Sequence, residues 1–162
     1  MRIHDEHDLQ FFTLSRFMPP ELMHYTGRAL VIDPDIFALS DITSLFSMDL
    51  TGNALAACRK KNSWDSSVMV LDCKKLPQWN IENILEGLQN GTEDYRDWMQ
   101  LRNEKNVLEL PRLWNSLDEV HEATKMLHTT VRLTQPWKTG LPIDFTPGTP
   151  PKLFGFIPRT PI

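Results

Sequence analysis

Apolar positions along this chain switch repeatedly between helical and strand spacing. Phe11, Phe12, Leu14, Phe17 and Met18 recur at helical intervals, and Pro19-Pro20 stops or restarts that segment. Ala29-Leu30-Val31-Ile32 is a short unbroken apolar run between Gly27 and Asp33. A strand apolar on both faces suits the interior of a parallel sheet, where both faces are covered. Asp41 to Met48 reads as a short helix with Ile42, Leu45 and Phe46 on one face. Ala54 to Cys58 and Ser67 to Leu71 read as strands. Ile81, Ile84, Leu85 and Leu88 mark an amphipathic helix ending near Gly91, and a second helix runs through Tyr95, Trp98, Met99 and Leu101. Val107 to Leu110 and Lys125 to His128 are further short strands. This order of elements predicts an α/β layer fold.

The last stretch departs from that pattern. Seven of the 12 prolines fall between Pro136 and Ile162, a density that no regular helix or central strand accommodates. Residues 136–162 are therefore expected to form an extended, proline-rich tail or lid, with residues 1–135 as the folded unit. With 41% hydrophobic and 23% charged residues, the 162-residue chain has the composition of a globular domain and not of a disordered or fibrous one. No apolar run approaches the roughly 18–20 residues that a transmembrane helix needs. The net charge of −4 offers no general basic field for nucleic acid. Two cysteines without metal-ligand spacing suggest a reduced, cytoplasmic protein.

Candidate chemistry begins where the apolar run ends. Asp33 and Asp35 lie two residues apart at the carboxyl end of a buried strand, the edge at which open α/β sheets bind ligands. An Asp-x-Asp pair presents hard oxygens able to share one Mn²⁺ or Mg²⁺. The same two aspartates also suit a turn that caps the following helix.

Residues 28–46, containing this pair, closely resemble the metal-binding strand and following helix of GT-A nucleotide-sugar glycosyltransferases, most of all the glycogenin-like family-eight group. Three further segments resemble that family in the same order. Asn62-Ser63-Trp64-Asp65-Ser66-Ser67-Val68-Met69-Val70-Leu71 is similar to a segment lining the donor sugar, Leu110-Pro111-Arg112-Leu113-Trp114-Asn115 to an "LPxxWN" strand, and Leu127-His128 followed by Gln135-Pro136-Trp137 to a late segment whose histidine is the third metal ligand. The resemblance implies a partial GT-A fold with a mixed, mainly parallel sheet and flanking helices. It also implies metal ligation by Asp33, Asp35 and His128.

The activity implied is metal-dependent transfer of a sugar from a UDP-sugar to a hydroxyl acceptor, with retention at the anomeric carbon. Ser66 and Ser67 are expected beside the donor.

The departures from the family pattern are specific. Asp65 replaces an asparagine and Ser67 a glycine, while Val131 stands at a glycine position and Gln135 at a phosphate-contacting lysine. Arg132 or Lys138 is the candidate to supply the missing positive charge. Asp65 is a candidate to orient the donor sugar, to polarise an acceptor hydroxyl or to bind backbone amides in a turn, the first being favoured. Asp94 and Asp97 loosely represent the family's acidic segment and are the other candidate catalytic carboxylates. The strands that hold uracil and ribose in such enzymes have no counterpart ahead of Asp33, so the chain is expected to be the carboxyl-terminal portion of the fold. That expectation carries two others: an exposed sheet edge prone to self-association, and the competing reading of a truncated, non-catalytic interaction module.

Overall fold

The computed structural model describes residues 11–131 and Gln135. The expected tail at 136–162, and Arg132 and Lys138 with it, lie outside the described residues. The main sheet contains β1 (Arg28–Ile32), β3 (Leu55–Lys60), β4 (Ser63–Asp72) and β5 (Val107–Leu110) in the order β1-β4-β3-β5. A small second sheet has the order β2-β7-β6, from β2 (Ile36–Ala38), β6 (Ser116–Leu117) and β7 (Met126–His128).

The main sheet separates two apolar layers, and strand alternation assigns each residue to one of them. Val31, Leu55, Ala57, Met69 and Leu71 join one core with Phe17, Trp79, Ile84 and Leu101. Ala56, Cys58, Val68 and Val70 join the other with Ile36, Leu45, Leu50, Trp114 and Met126. The first core is anchored by rings packed edge to face, with Phe17 centred 5.0 Å from Trp79 and 5.1 Å from Trp98. Trp79 buries its ring completely and still satisfies its Nε1–H, which donates to Glu104 at 2.6 Å.

Three helical segments, Phe11–Phe17, Ile81–Asn90 and Tyr95–Met99, lie on the first core. The segment Phe11–Phe17 is a 3₁₀ helix that Pro19 turns into the short α1 (Pro19–Leu22). The amphipathic α3 (Ile81–Asn90) starts at Asn80, whose side chain accepts from the Asn83 amide, and ends at Gly91 in the left-handed conformation (φ 78°). The short α4 (Tyr95–Met99) follows it. On the other side of the sheet, α2 (Thr43–Phe46) is shorter than the stretch from Asp41 to Met48 that the spacing suggested.

The α/β class stands as expected, but the pairing corrects two expectations. Three strand pairings are antiparallel and two are parallel, so the sheets are not mainly parallel. Among the described residues β1 is an edge strand paired antiparallel with β4, not an interior strand. Its apolar run records that both faces are covered, by Ala29 and Val31 on one side and Leu30 on the other. Hydrogen bonding at a strand's edges leaves no mark on that pattern. Residues 112–114, expected as strand, form a 3₁₀ turn, because Pro111 ends the ladder of β5. Among the described residues no helix is long and apolar enough to cross a membrane.

Candidate metal centre

Three segments bring the site together. β1 runs out at Ile32, and the Asp33 amide extends the pairing with β4 by donating to the Ser67 carbonyl at 2.9 Å. The chain then turns at Pro34 into β2, which pairs with β7 so that Ile36 lies opposite His128. Asp35 is fixed at that turn, its carbonyl accepting from the amide (2.9 Å) and the hydroxyl (3.0 Å) of Thr129. Asp33, Asp35 and His128 thereby each offer a ligand atom within 4.8 Å of one another.

The third wall is made by an irregularity in β4. The register with β3 shifts between Ala57, opposite Met69, and Cys58, opposite Asp65, so residues 66–68 bulge out of that pairing. A bulge re-aims the side chains it carries. Ser66 donates to the Met99 carbonyl at 2.8 Å and accepts from Arg16 at 2.9 Å. Ser67 faces the opposite side and accepts from the Asn115 side-chain amide at 2.9 Å.

Two carboxylates and an imidazole form a mixed oxygen and nitrogen donor set that a divalent transition-metal ion such as Mn²⁺ can accept. The histidine is prepared for that task. Its Nδ1 lies 2.8 Å from Asn115 Oδ1, and its Nε2 lies 3.3 Å from Asp35 Oδ1. With Nδ1–H donating to Asn115, Nε2 is the nitrogen left to face the carboxylates. Gln135 closes one flank, donating to Thr129 O at 2.8 Å and reaching Asp35 Oδ2 at 3.4 Å.

One participant was missed in the sequence. Arg16, from the 3₁₀ segment, forms an ion pair with Asp33 while donating to Ser66. Burial pushes the Asp33 carboxyl above its ordinary value, against the lowering charge and hydrogen bond of Arg16. The one charged residue in the segment Phe11–Phe17 was the available signal.

The candidate catalytic carboxylates occupy different settings. Asp65 is only 6% exposed, and one oxygen accepts from the Ser67 hydroxyl (2.7 Å) and amide (3.1 Å) while the other faces Lys60 at 3.1 Å. Burial pushes its carboxyl up, but the Ser67 hydroxyl, the Lys60 charge and the Ser67 amide outweigh that and hold it low. Asp94 caps α4 by accepting from the Arg96 amide at 2.6 Å. Asp97 pairs with Arg102 at 3.1 Å.

The sequence profile described as glycosyl transferase family 8 matches residues 3–132. The chain belongs to glycosyl transferase family 8. Solved structures carry the same fold as this family-8 chain at low identity. The glycosyltransferase GlyE of Streptococcus pneumoniae TIGR4 matches with a TM-score of 0.58 and 21% identity over 83% of this chain. The galactosyltransferase LgtC, solved with donor and acceptor sugar analogues, gives 0.55 and 15% over 73%. The bifunctional WbbM gives 0.59 and 18% over 86%. The family-8 chain spans 40% of the GlyE chain, 58% of LgtC and 34% of WbbM. No curated protein matches the sequence.

Proposed function

We propose that this family-8 chain contributes the metal- and diphosphate-holding half of a glycosyltransferase that moves a sugar from a UDP-sugar to a hydroxyl acceptor. The observation that carries this reading is the convergence of Asp33, Asp35 and His128. A Mn²⁺ or Mg²⁺ ion held there supplies electrostatic stabilisation of the departing diphosphate. The protein's own part is to fix two carboxylates by backbone pairing, to present His128 Nε2, and to place the Arg16 guanidinium beside them as a second positive charge for diphosphate or sugar oxygens. Ser66, bonded to Arg16 at the bulge, is the serine on the side of the proposed donor, while Ser67 faces the opposite side.

Retention fits a same-face displacement. Both oxygens of Asp65 are engaged, one by Ser67 and one by Lys60, which leaves it unsuited to attack an anomeric carbon. The buried, free cysteines fit a reducing compartment such as the cytoplasm. Self-association through the outer edge of β1 fits its place at the end of the sheet.

A non-catalytic, ligand-binding relative is the second reading, favoured by the Arg16–Asp33 pair, which sets an internal cation on a metal-ligand carboxylate. The experiment that separates them follows UDP release from a panel of UDP-sugars by the full chain, with Mn²⁺ or with chelator. Metal-dependent release, with the product's anomeric configuration read by NMR, supports the enzyme. Metal-dependent UDP binding without release supports the second reading, and release indifferent to chelation overturns the metal-dependent mechanism.

A further inference from the structure

The two positions at which this chain departs from the family's sugar-lining segment, Asp65 and Ser67, bond to each other, and the chain of contacts continues inward. Ser67 Oγ accepts from Asn115 Nδ2, and Asn115 Oδ1 meets His128 Nδ1. Asn115 is completely buried, and Asp65, Ser67 and His128 are nearly so. In such surroundings each polar atom needs a partner of the right polarity, so one fixed direction propagates along the whole chain.

We infer that Asp65 and Ser67 are positioning residues which, through Asn115, set the tautomer and orientation of His128 for a divalent cation.

The direction follows from donors and acceptors alone. An ionised carboxylate only accepts, so the Ser67 hydroxyl donates to Asp65 Oδ1 at 2.7 Å. With its proton so committed, Ser67 Oγ is an acceptor for Asn115, which turns Nδ2 toward Ser67 and Oδ1 toward the imidazole. Oδ1 accepts only, so His128 Nδ1 carries a proton and Nε2 is directed at Asp35. Lys60 secures the outer end of the relay by pairing with the other Asp65 oxygen at 3.1 Å. Glycine at position 67 would supply neither the hydroxyl donor nor the acceptor. The relay is therefore a property of Ser67 in this chain.

This inference rests on the metal-site reading, and its test separates the two. Long-range ¹H–¹⁵N NMR of the metal-free full chain, recorded over a pH series so that the neutral Nδ1–H tautomer is distinguished from the doubly protonated ring, reports where the His128 proton sits, and calorimetry with Mn²⁺ alone reports affinity. In the wild type and in Ser67→Thr, which keeps the hydroxyl, Nδ1 is expected to be protonated. In Ser67→Ala, Asn115 is released to flip, the Nδ1 proton is lost or averaged, and Mn²⁺ affinity falls about 10- to 100-fold, as for other outer partners of metal ligands. Thermal melting that stays close to wild type identifies the loss as local. An unprotonated Nδ1 in the wild type, or unchanged tautomer and affinity in Ser67→Ala, overturns the relay. A wild-type protein that shows the expected tautomer but binds no Mn²⁺ supports the relay's tautomer control and overturns the metal site instead.

Discussion

The imidazole of His128 is held from both sides, by Asn115 Oδ1 at 2.8 Å on Nδ1 and by Asp35 Oδ1 at 3.3 Å on Nε2. The first contact is wholly interior, and the second faces the cluster that includes Asp33. The ring thus joins the protein core to the proposed ion, and substitutions on its two sides are expected to act differently.

On the ion side, His128→Ala removes one of three donors without deleting a large core group. Mn²⁺ affinity measured by calorimetry is expected to fall at least ~100-fold, roughly 2.7 kcal/mol, with the far-UV circular dichroism spectrum unchanged. Retained affinity would remove His128 from the ligand set.

Arg16 opposes a divalent cation at Asp33 by charge and helps to hold Asp33 by hydrogen bonding. Arg16→Met is expected to strengthen binding of Mn²⁺ alone by at least about fivefold, since a neighbouring unit charge at about 4 Å is worth about 1 kcal/mol even at the dielectric of bulk water and more at a lower one. The same change is expected to weaken UDP binding in the presence of Mn²⁺. Calorimetry with each ligand in turn checks both signs, and weaker binding of Mn²⁺ alone would contradict the opposition.

Phe17 links the core to that arginine. It is fully buried between Trp79 and Trp98, one residue beyond Arg16. Phe17→Ala is expected to cost about 3–5 kcal/mol in urea unfolding. It also frees the segment that carries Arg16, so the effects on stability and on UDP binding should appear together.

Cys58 supplies a pH-dependent test. Burial, then the nearby negative charge of Asp65, pushes its thiol up to about 12 from an ordinary value near 9.0. Above pH 9 the unfolded chain releases this proton while the folded chain keeps it, so folding stability declines as pH rises from about 9 toward 12. Urea midpoints across that range check the sign. In the native state a thiol reagent at pH 8 should react slowly with both cysteines, which are buried, and rapidly once denaturant is added.

Much of the fold was legible because burial imposes spacing. The apolar alternation of β3 and β4 divides cleanly between two cores, and the stripe of Ile81, Ile84, Leu85 and Leu88 with Gly91 marks α3 and its carboxyl-terminal end. The edge position of β1 was not legible, since face coverage and edge pairing are independent properties of a strand. The short β2 was missed because Pro34 and Asp35 mask its start, while its partner β7 lies some ninety residues on, with Ile36 opposite His128. The convergence of Asp33, Asp35 and His128 was anticipated through the family resemblance alone, as neither spacing nor composition connects Asp33 with His128. Arg16 escaped notice, and the role of Asn115 within its motif was not legible, because each acts through a contact distant in sequence, Arg16 on Asp33 and Asn115 on Ser67 and His128.

The most direct test of the metal-dependent role is calorimetric titration of UDP into the full chain, with Mn²⁺ and with chelator, for the wild type and for Asp35→Ala. UDP is expected to bind the wild type only when Mn²⁺ is present and to give no heat with Asp35→Ala under either condition. Equal UDP binding with and without metal, or undiminished binding by Asp35→Ala, would contradict a cation held by Asp33, Asp35 and His128.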